Sequence, residues 1–387
     1  MNQARKKPKY LTKLDQIPQL TKSERERLQP VAEKFVFRTN DYYQKLIDWS
    51  DPNDPIRALV VPVESELEDW GRLDASFEEI FTPVPGVEHK YKDTALLLVN
   101  DVCGAYCRYC FRKRLFMDDN DEVVRDVSGG LDYIREHTEI SNVLLTGGDP
   151  LIMSTSKLEP VIRRLREIPH VQIIRIGSKM PAFNPFRIID DPSLLKMIET
   201  YSTPEKRIYI MAHFNHPREL TDESQQGIDL LLRSGAIVVN QSPLIRGIND
   251  DAGTLARLFA KLSFIGVPPY YIFQCRPTEG NKAYSVPIEE AYQIFLDAQS
   301  RVSGLARRAR FSMSHRSGKI EAAAMTGDQI VFKYHRAADE QDTGRVMIFK
   351  RNPRAHWFND YAEAQEFLPS SNRASDFVAI QPMVSTC

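Results

Sequence analysis

The segment 103-CGAYCRYCFRKR-114 places Cys103, Cys107 and Cys110 within eight residues and follows them with Arg112, Lys113 and Arg114. Three soft thiolates at C-x3-C-x2-C spacing can each take one iron of a [4Fe–4S] cluster from a single loop. A fourth iron is then left without a protein ligand, and such an open position can receive a substrate or cofactor. The competing readings are a structural zinc site and a set of reduced, unliganded thiols. Zinc asks for four ligands, and no fourth Cys or His lies close by in the sequence. The cations read either as a solvated or charge-balancing patch or, at Arg112, as a fork for a carboxylate.

Residues that do chemistry need elements to hold them. From about residue 93, short apolar runs alternate with amphipathic ones. The strand candidates are 94-TALLLVN-100, 142-NVLLTGG-148, 171-VQIIRIGS-178, 207-RIYIMAHF-214, 236-AIVVNQSPLI-245 and 269-PYYIFQC-275. Helix candidates lie between them at 129–137, 156–168, 192–201, 224–235 and 252–266. β-branched runs separated by helices predict parallel strands, and repeated βα units predict an α/β fold built as a partial (β/α)6 barrel. A doubly wound open sheet is the alternative that periodicity leaves open. The C-terminal ends of such strands converge on one face, where active sites are built. Gly147, Gly148, Asp149, Ser178, His213, Asn215, His216, Asn240, Gln241 and Arg276 all fall there.

The remainder predicts accessory parts. Residues 1–90 are polar, punctuated by proline and carry helical patches such as 22–35, so they read as a helical layer without site chemistry. Residues 91–324 hold the barrel. In 325–387, the runs 329–336 and 345–351 predict a short two-stranded addition, and the Ser-rich tail from about 365 predicts loose order.

The C-x3-C-x-aromatic-C pattern with Tyr109, after TALLLVND, resembles the radical S-adenosylmethionine (SAM) superfamily, and 143-VLLTGGDPL-151 carries the Gly-Gly-acid turn of that superfamily. The segments CRYCFRKR, LLTGGDPL, IPHVQIIRIGS, HFNHPREL, NQSPLIRGIND and YYIFQC, in that order between about residues 85 and 320, are similar to the lysine 2,3-aminomutase family. The resemblance implies SAM on the open iron, with Asp149 accepting from its ammonium and Gly147 and Gly148 permitting close backbone approach. It also implies that His213, Asn215, His216, Asn240 and Gln241 line the SAM or cofactor surface. As plain residues, the two histidines read equally well as satisfied core or rim groups. Arg112 stands where the family grips the substrate α-carboxylate. Lys319, in 311-FSMSHRSGKIEA-322, stands where it carries pyridoxal 5′-phosphate (PLP), and Tyr91 belongs to the same cofactor pocket.

The chain also departs from the pattern. Lys90 and Thr94 replace arginines expected around the PLP phosphate; a lysine still neutralises phosphate as a point charge. Arg276 and Ser312 replace the two aspartates that hold the side-chain ammonium of lysine. A cation in place of an anion there disfavours free lysine, while Arg276 suits a distal carboxylate or phosphate. Its plainer reading is a local ion pair, for example with Glu279. Asp251 stands where certain lysine enzymes have a zinc-binding cysteine, and no C-terminal cysteine group accompanies Cys387.

Composition agrees with a globular enzyme. Of 387 residues, 42% are hydrophobic and 27% charged, and 51 Lys+Arg balance 52 Asp+Glu for a net charge of -1. Such a balance gives no general attraction to nucleic acid or acidic membranes. The basic start lacks an apolar h-region, and no apolar run approaches the roughly 20 residues that span a bilayer. Five cysteines in a long chain are unlike a secreted disulfide framework, so a reducing cytoplasm is expected. The resemblance, with these departures, implies a PLP-dependent radical SAM 2,3-aminomutase, an isomerase acting on a small amino acid other than lysine. A flavodoxin or ferredoxin is the expected electron donor, and the resemblance implies a homo-oligomer. The alternative is a radical dehydrogenase, dehydratase or epimerase of the same fold acting on an anionic substrate.

Overall fold

The computed structural model describes residues 7–117, 122–124 and 126–361, with the backbone of 366–368. Twelve strands form one sheet whose spatial order follows the sequence. They are β1 (Val87–Tyr91), β2 (Thr94–Asn100), β3 (Asn142–Gly147), β4 (Ile173–Ser178), β5 (Ile208–Ala212), β6 (Ile237–Leu244), β7 (Pro269–Gln274), β8 (Arg310–His315), β9 (Gly318–Met325), β10 (Gln329–Ala337), β11 (Val346–Lys350) and β12 (Glu366–Leu368). Strands β2 to β8 run parallel. β1 joins β2 antiparallel, and β9 to β12 continue beyond β8 as an antiparallel meander. A doubly wound sheet reverses its strand order at a switch point; this one never does, so the singly wound, barrel-like reading holds.

The ladder is not closed, since β1 and β12 are its free ends. Side chains bring the flanks together instead. Lys90 of β1 donates to the carbonyl of His315 at the end of β8, and Arg336 of β10 donates to Thr94 Oγ1 of β2 at 3.1 Å and to Asp93. Lys92 pairs with Glu340 at 3.1 Å.

Three expectations are corrected. A seventh parallel strand, β8, joins the six predicted; its sequence RFSMSH turns Phe311 and Met313 to the core and serines to the other face. The C-terminal segment is no separate two-stranded addition, because β9 to β12 extend the main sheet. The limits at 90/91 and 324/325 fall inside β1 and β9. The Ser-rich tail, with Cys387, lies outside the described residues apart from the β12 backbone.

Strand alternation divides the sheet into two faces. Val143, Leu145, Ile174, Ile176, Ile208 and Ile210 are fully buried in one core cluster with helix residues such as Leu131, Ile134, Leu158 and Ile162. The alternate residues project from the concave face: Thr94, Asn142, Thr146, Arg175, His213, Gln241, Tyr271, Phe273, Ser312 and Lys319. Apolar packing on the helical side thus frees the other side for polar chemistry.

The N-terminal layer forms a second core, in which Leu14, Ile17, Ile56, Leu59 and Val60 pack with Ala105, Tyr109 and Cys275. It grips the cysteine loop directly. Arg108 Nη2 meets Glu66 at 2.7 Å with both side chains buried, and the Tyr284 hydroxyl donates to the same carboxylate at 3.0 Å. Breaking one side of a buried ion pair leaves an uncompensated charge costing about 3–5 kcal/mol. Glu66→Ala is therefore expected to lower the denaturant midpoint by that much stability, and an unchanged midpoint would show that the layer is not anchored through this pair.

Candidate active site

The cysteine loop leaves β2 and is clipped to the turn after β3. The Gly148 N–H donates to the Asn100 carbonyl at 2.6 Å and the Asp149 N–H to the Val102 carbonyl at 2.9 Å. Asn100 Nδ2 returns a bond to the Asp149 carbonyl at 2.9 Å. A Cβ on Gly148 would stand 2.3 Å from the Val102 carbonyl oxygen, and one on Gly147 (φ +110°) 2.5 Å from that of Asn100. The close approach for which these glycines make room is thus first that of the chain's own cysteine loop.

Asp149 closes the clip. Its Oδ2 accepts from Ser178 Oγ, Lys179 N and Met180 N at 3.0, 2.7 and 3.2 Å, and its Oδ1 accepts from Leu151 N at 2.9 Å. Burial pushes its carboxyl up to about 6 against these donors. Burial also raises all three thiols, Cys107 to about 12, while nearby cations oppose it: Arg38 at Cys103, Lys179 at Cys107, and Lys113, Arg112 and Arg114 at Cys110. Among the described residues no three His, Cys, Asp or Glu side chains converge on a point suited to one ion. A cubane makes no such demand, because each thiolate takes a different iron. Three thiols on one loop amid cations fit that anionic cluster, and metal binding displaces their protons.

Beside the cysteines lies a buried network. Tyr109 donates to Asn215 Oδ1 at 2.6 Å and its hydroxyl meets His213 Nε2 at 3.0 Å. Lys179 Nζ donates to Glu219, Asn215 Oδ1 and the His213 carbonyl at 2.6, 2.7 and 3.0 Å, and Tyr43 donates to Glu219 at 2.6 Å. Asn215 Nδ2 is buried without an acceptor, which fits a ligand atom, since buried donors are nearly always paired. Burial holds His213 well below the usual imidazole range. Burial also lowers His216, to about 4; its Nδ1 accepts from Arg218 N at 3.2 Å. Gln241 stands half-buried on the concave face. Asn240 does not join them: both atoms of its amide are spent on the Phe214 backbone, at 2.8 and 3.2 Å.

A second cluster gathers around Glu78, in the N-terminal region expected to carry no site chemistry. Arg112 Nε reaches both Glu78 oxygens at 3.1 Å, Nη2 reaches Glu78 at 2.8 Å and Glu88 at 3.1 Å, and Nη1 donates to Thr146 at 3.1 Å. Arg114 meets Glu78 at 2.7 Å. Arg276 lies over the Phe111 ring at 3.6 Å, donates to Ser76 and stands 3.9 Å from Glu78. Glu279, the anticipated local partner of Arg276, pairs instead with Lys34 at 2.6 Å. Burial would raise Glu78, but Arg112 and Arg114 hold it at about 2. Burial and the Glu78 charge push Glu88 up to about 7. Phe77, just before Glu78, adopts a left-handed φ of +53°, and its ring takes the Arg72 guanidinium at 4.5 Å. A bulky residue rarely adopts that conformation; here it delivers the Glu78 carboxylate.

Lys319 opens β9 opposite Ser314 of β8, with its amine 4.3 Å from the Tyr271 ring and 4.8 Å from that of Phe273. Burial first, then Arg175, Arg276 and Lys90, bring it down to about 7. An amine that is neutral near physiological pH fits an aldehyde cofactor. Ser312 is buried and donates to the Ile320 carbonyl at 3.1 Å. Tyr91 faces the Arg336 guanidinium at 4.5 Å. Asp251 caps the helix Ala252–Phe264 through Thr254 N at 2.7 Å.

A singly wound α/β sheet with three loop thiols and a buried concave-face lysine defines an α/β fold of enzyme type, and comparison with known proteins gives its family. A protein of Aquifex aeolicus named "Putative L-lysine 2,3-aminomutase" is 60% identical over 359 residues, covering 92% of this chain and 96% of that one. The L-lysine 2,3-aminomutase of Clostridium subterminale is 37% identical, covering 78% and 72%. The glutamate 2,3-aminomutase of Clostridioides difficile is 36% identical, covering 76% and 68%. The chain therefore belongs to the lysine 2,3-aminomutase family of radical SAM isomerases, which uses a [4Fe–4S] cluster, SAM and PLP. No family model matches the sequence. Among solved structures, the SAM-bound SuiB of Streptococcus suis overlaps 58% of this chain and 51% of its own, with a TM-score of 0.44 and 10% identity.

Gly148→Ala is expected to displace the cysteine loop and reduce the iron and sulfide retained per chain after anaerobic reconstitution, with a lowered Tm. Gly129→Ala, where the added Cβ meets nothing within 4 Å, is the matched control and retains full loading. Equal loading in both variants would contradict the clip.

Proposed function

We propose that this chain catalyses PLP-dependent 2,3-migration of an amino group, initiated by a 5′-deoxyadenosyl radical, on an amino acid other than free lysine. The observation that supports this reading is Arg276, a mostly buried cation whose charge acts on Lys319, at the position where the family resemblance expects an aspartate for the lysine ammonium. Two like charges about 4 Å apart repel by about 4 kcal/mol in a protein-like medium. A distal carboxylate would instead meet a cation, and Ser312 adds no negative charge. The glutamate-acting relative is nearly as similar as the lysine-acting one from Clostridium subterminale.

When bound, the cluster and SAM supply a carbon radical that abstracts hydrogen, and PLP holds the migrating amino group. The chain's residues do the rest. Cys103, Cys107 and Cys110 hold the cluster. Gly147, Gly148 and Asp149 fix the loop against it, and the unpaired Nδ2 of Asn215 donates to SAM, with His213, His216 and Gln241 around it. Arg112 has one N–H not spent on Glu78, Glu88 or Thr146 and offers it to the substrate α-carboxylate, while the bridging Glu78 orients Arg112 towards Arg276. Tyr91 flanks the PLP carried on Lys319. A small redox protein such as flavodoxin or ferredoxin reduces the cluster, and the chain works in the cytoplasm as a homo-oligomer. Among the described residues, no helix is long and apolar enough to cross a membrane.

Anaerobically reconstituted enzyme is expected to convert an acidic amino acid, tested first with L-glutamate and L-aspartate, to its β-amino isomer in preference to L-lysine. Arg276→Ala should lower kcat/KM for the acid by about 10- to 100-fold, the worth of a charged hydrogen bond. Preferential turnover of lysine would refute the substrate assignment.

The Lys319 amine reacts only when unprotonated, so PLP attachment should be present above about pH 7 and disappear as pH falls through that value, where an ordinary lysine would need pH near 10.5. Borohydride-fixed PLP measured across pH checks this. A midpoint near the ordinary value, or fixation that survives in Lys319→Ala, would contradict the assignment. No PLP chromophore after reconstitution would favour the radical enzyme without migration.

A further inference from the structure

Among the described residues, Arg175 is a guanidinium without a counterion. It projects from β4 onto the concave face, mostly buried, and its one protein partner is Asn142 Oδ1, which accepts from Nε at 2.8 Å. Its two terminal nitrogens have no partner among the described residues, and no carboxylate acts on it; only the Tyr270 and Tyr271 hydroxyls do. A buried unpaired charge is expensive unless something arrives to pair with it. Arg175 also exerts the largest single charge effect on Lys319.

A second guanidinium stands close by. Arg336 of β10 is the register partner of Lys319 on β9. It reaches Thr94 Oγ1 at 3.1 Å and the face of Tyr91; the carboxylate it pairs with, Asp93, is largely exposed, and Glu340 acts on it from farther off. Thr94 and Asn142 are themselves register neighbours on β2 and β3. Parallel strands lie about 5 Å apart, so the two guanidiniums anchored on those residues flank one stretch of the concave floor, with the Lys319 amine facing it.

We propose that Arg175 and Arg336 form the phosphate site for the PLP carried by Lys319, in place of the missing arginines at positions 90 and 94. The proposal rests on the PLP reading above. The dianionic phosphate of a cofactor tethered at Lys319 lands within one ring length of that lysine, and paired guanidiniums suit a dianion. Of the other cations near Lys319, Lys90 already gives one of its three N–H groups to the His315 carbonyl, and Arg276 is held by Ser76 and Glu78. Arg336 also gives the C-terminal meander a role in the site: it brings a cation across the gap between the sheet's flanks.

The test compares PLP with pyridoxal, which has the same aldehyde without the phosphate. Full-length wild type, Arg336→Ala, Arg336→Lys and Arg175→Ala are titrated with each aldehyde, reduced with borohydride, and the modified Lys319 peptide is quantified by mass. Wild type should be half-modified at a PLP concentration about 100-fold below that for pyridoxal. Each alanine variant should lose about tenfold of that preference through weaker PLP labelling alone. Arg336→Lys should keep more of the preference than Arg336→Ala. Unchanged pyridoxal labelling shows that a variant is folded, and Arg336, at the half-exposed rim, decides the matter if Arg175→Ala does not fold. Variants that keep the wild-type preference overturn the phosphate site. Wild type that takes neither aldehyde at Lys319 overturns the PLP reading itself, a result distinct from the first.

Discussion

Charge taken out of water has to be compensated, and the concave face of this sheet carries far more positive charge than negative. Arg112, Arg114, Arg175, Arg276, Lys90 and Lys319 face it or its rim, with Glu78 as the buried anion among them and Glu88, pushed up to about 7, beside it. Glu78 satisfies three guanidiniums at once and sits near 2 as a result. Burial first, and then the surplus that remains, depresses Lys319, Lys90 and Arg276. A site with this imbalance is built for anions: an electron-rich cluster, a phosphate and carboxylates. A substrate bringing another ammonium would add to the surplus.

The rest of the architecture serves that face. Apolar residues on the helical side free the opposite side of each strand for polar groups. The flanks of the open ladder meet through Lys90, Lys92 and Arg336, so the meander helps to enclose the site. The Asn100–Val102 backbone pressed onto Gly147 and Gly148 couples the thiol loop to the turn bearing Asp149. Loop position and ligand surface are therefore set together.

Sequence legibility followed the range of each interaction. Six strands were readable because each is a local apolar pattern, while the cysteine triad and Lys319 stand out by spacing or by order along the chain. Glu78 was not, because it lies 34 residues before Arg112 in a stretch with no periodic signal, and only folding brings the two together. Strand β8 escaped notice because RFSMSH divides its side chains between a core and a polar interior. The resemblance implies a ligand-facing Asn240, but its amide secures the Phe214 backbone. Gly147 and Gly148 are expected to admit close approach of a cofactor, and the neighbour that the structure shows there is the chain's own loop. Arg336 lies in a segment that looked like an appendage, and its relation to Lys319 exists only through strand register.

The most direct test of the account is an anaerobic crystal structure with cluster, SAM, PLP and an acidic amino acid bound. The account predicts a cubane on Cys103, Cys107 and Cys110 with its free iron towards SAM, phosphate between Arg175 and Arg336, and a carboxylate against Arg276. A zinc ion on the cysteines, a fourth protein ligand closing the cubane, or a cationic substrate group beside Arg276 would contradict it.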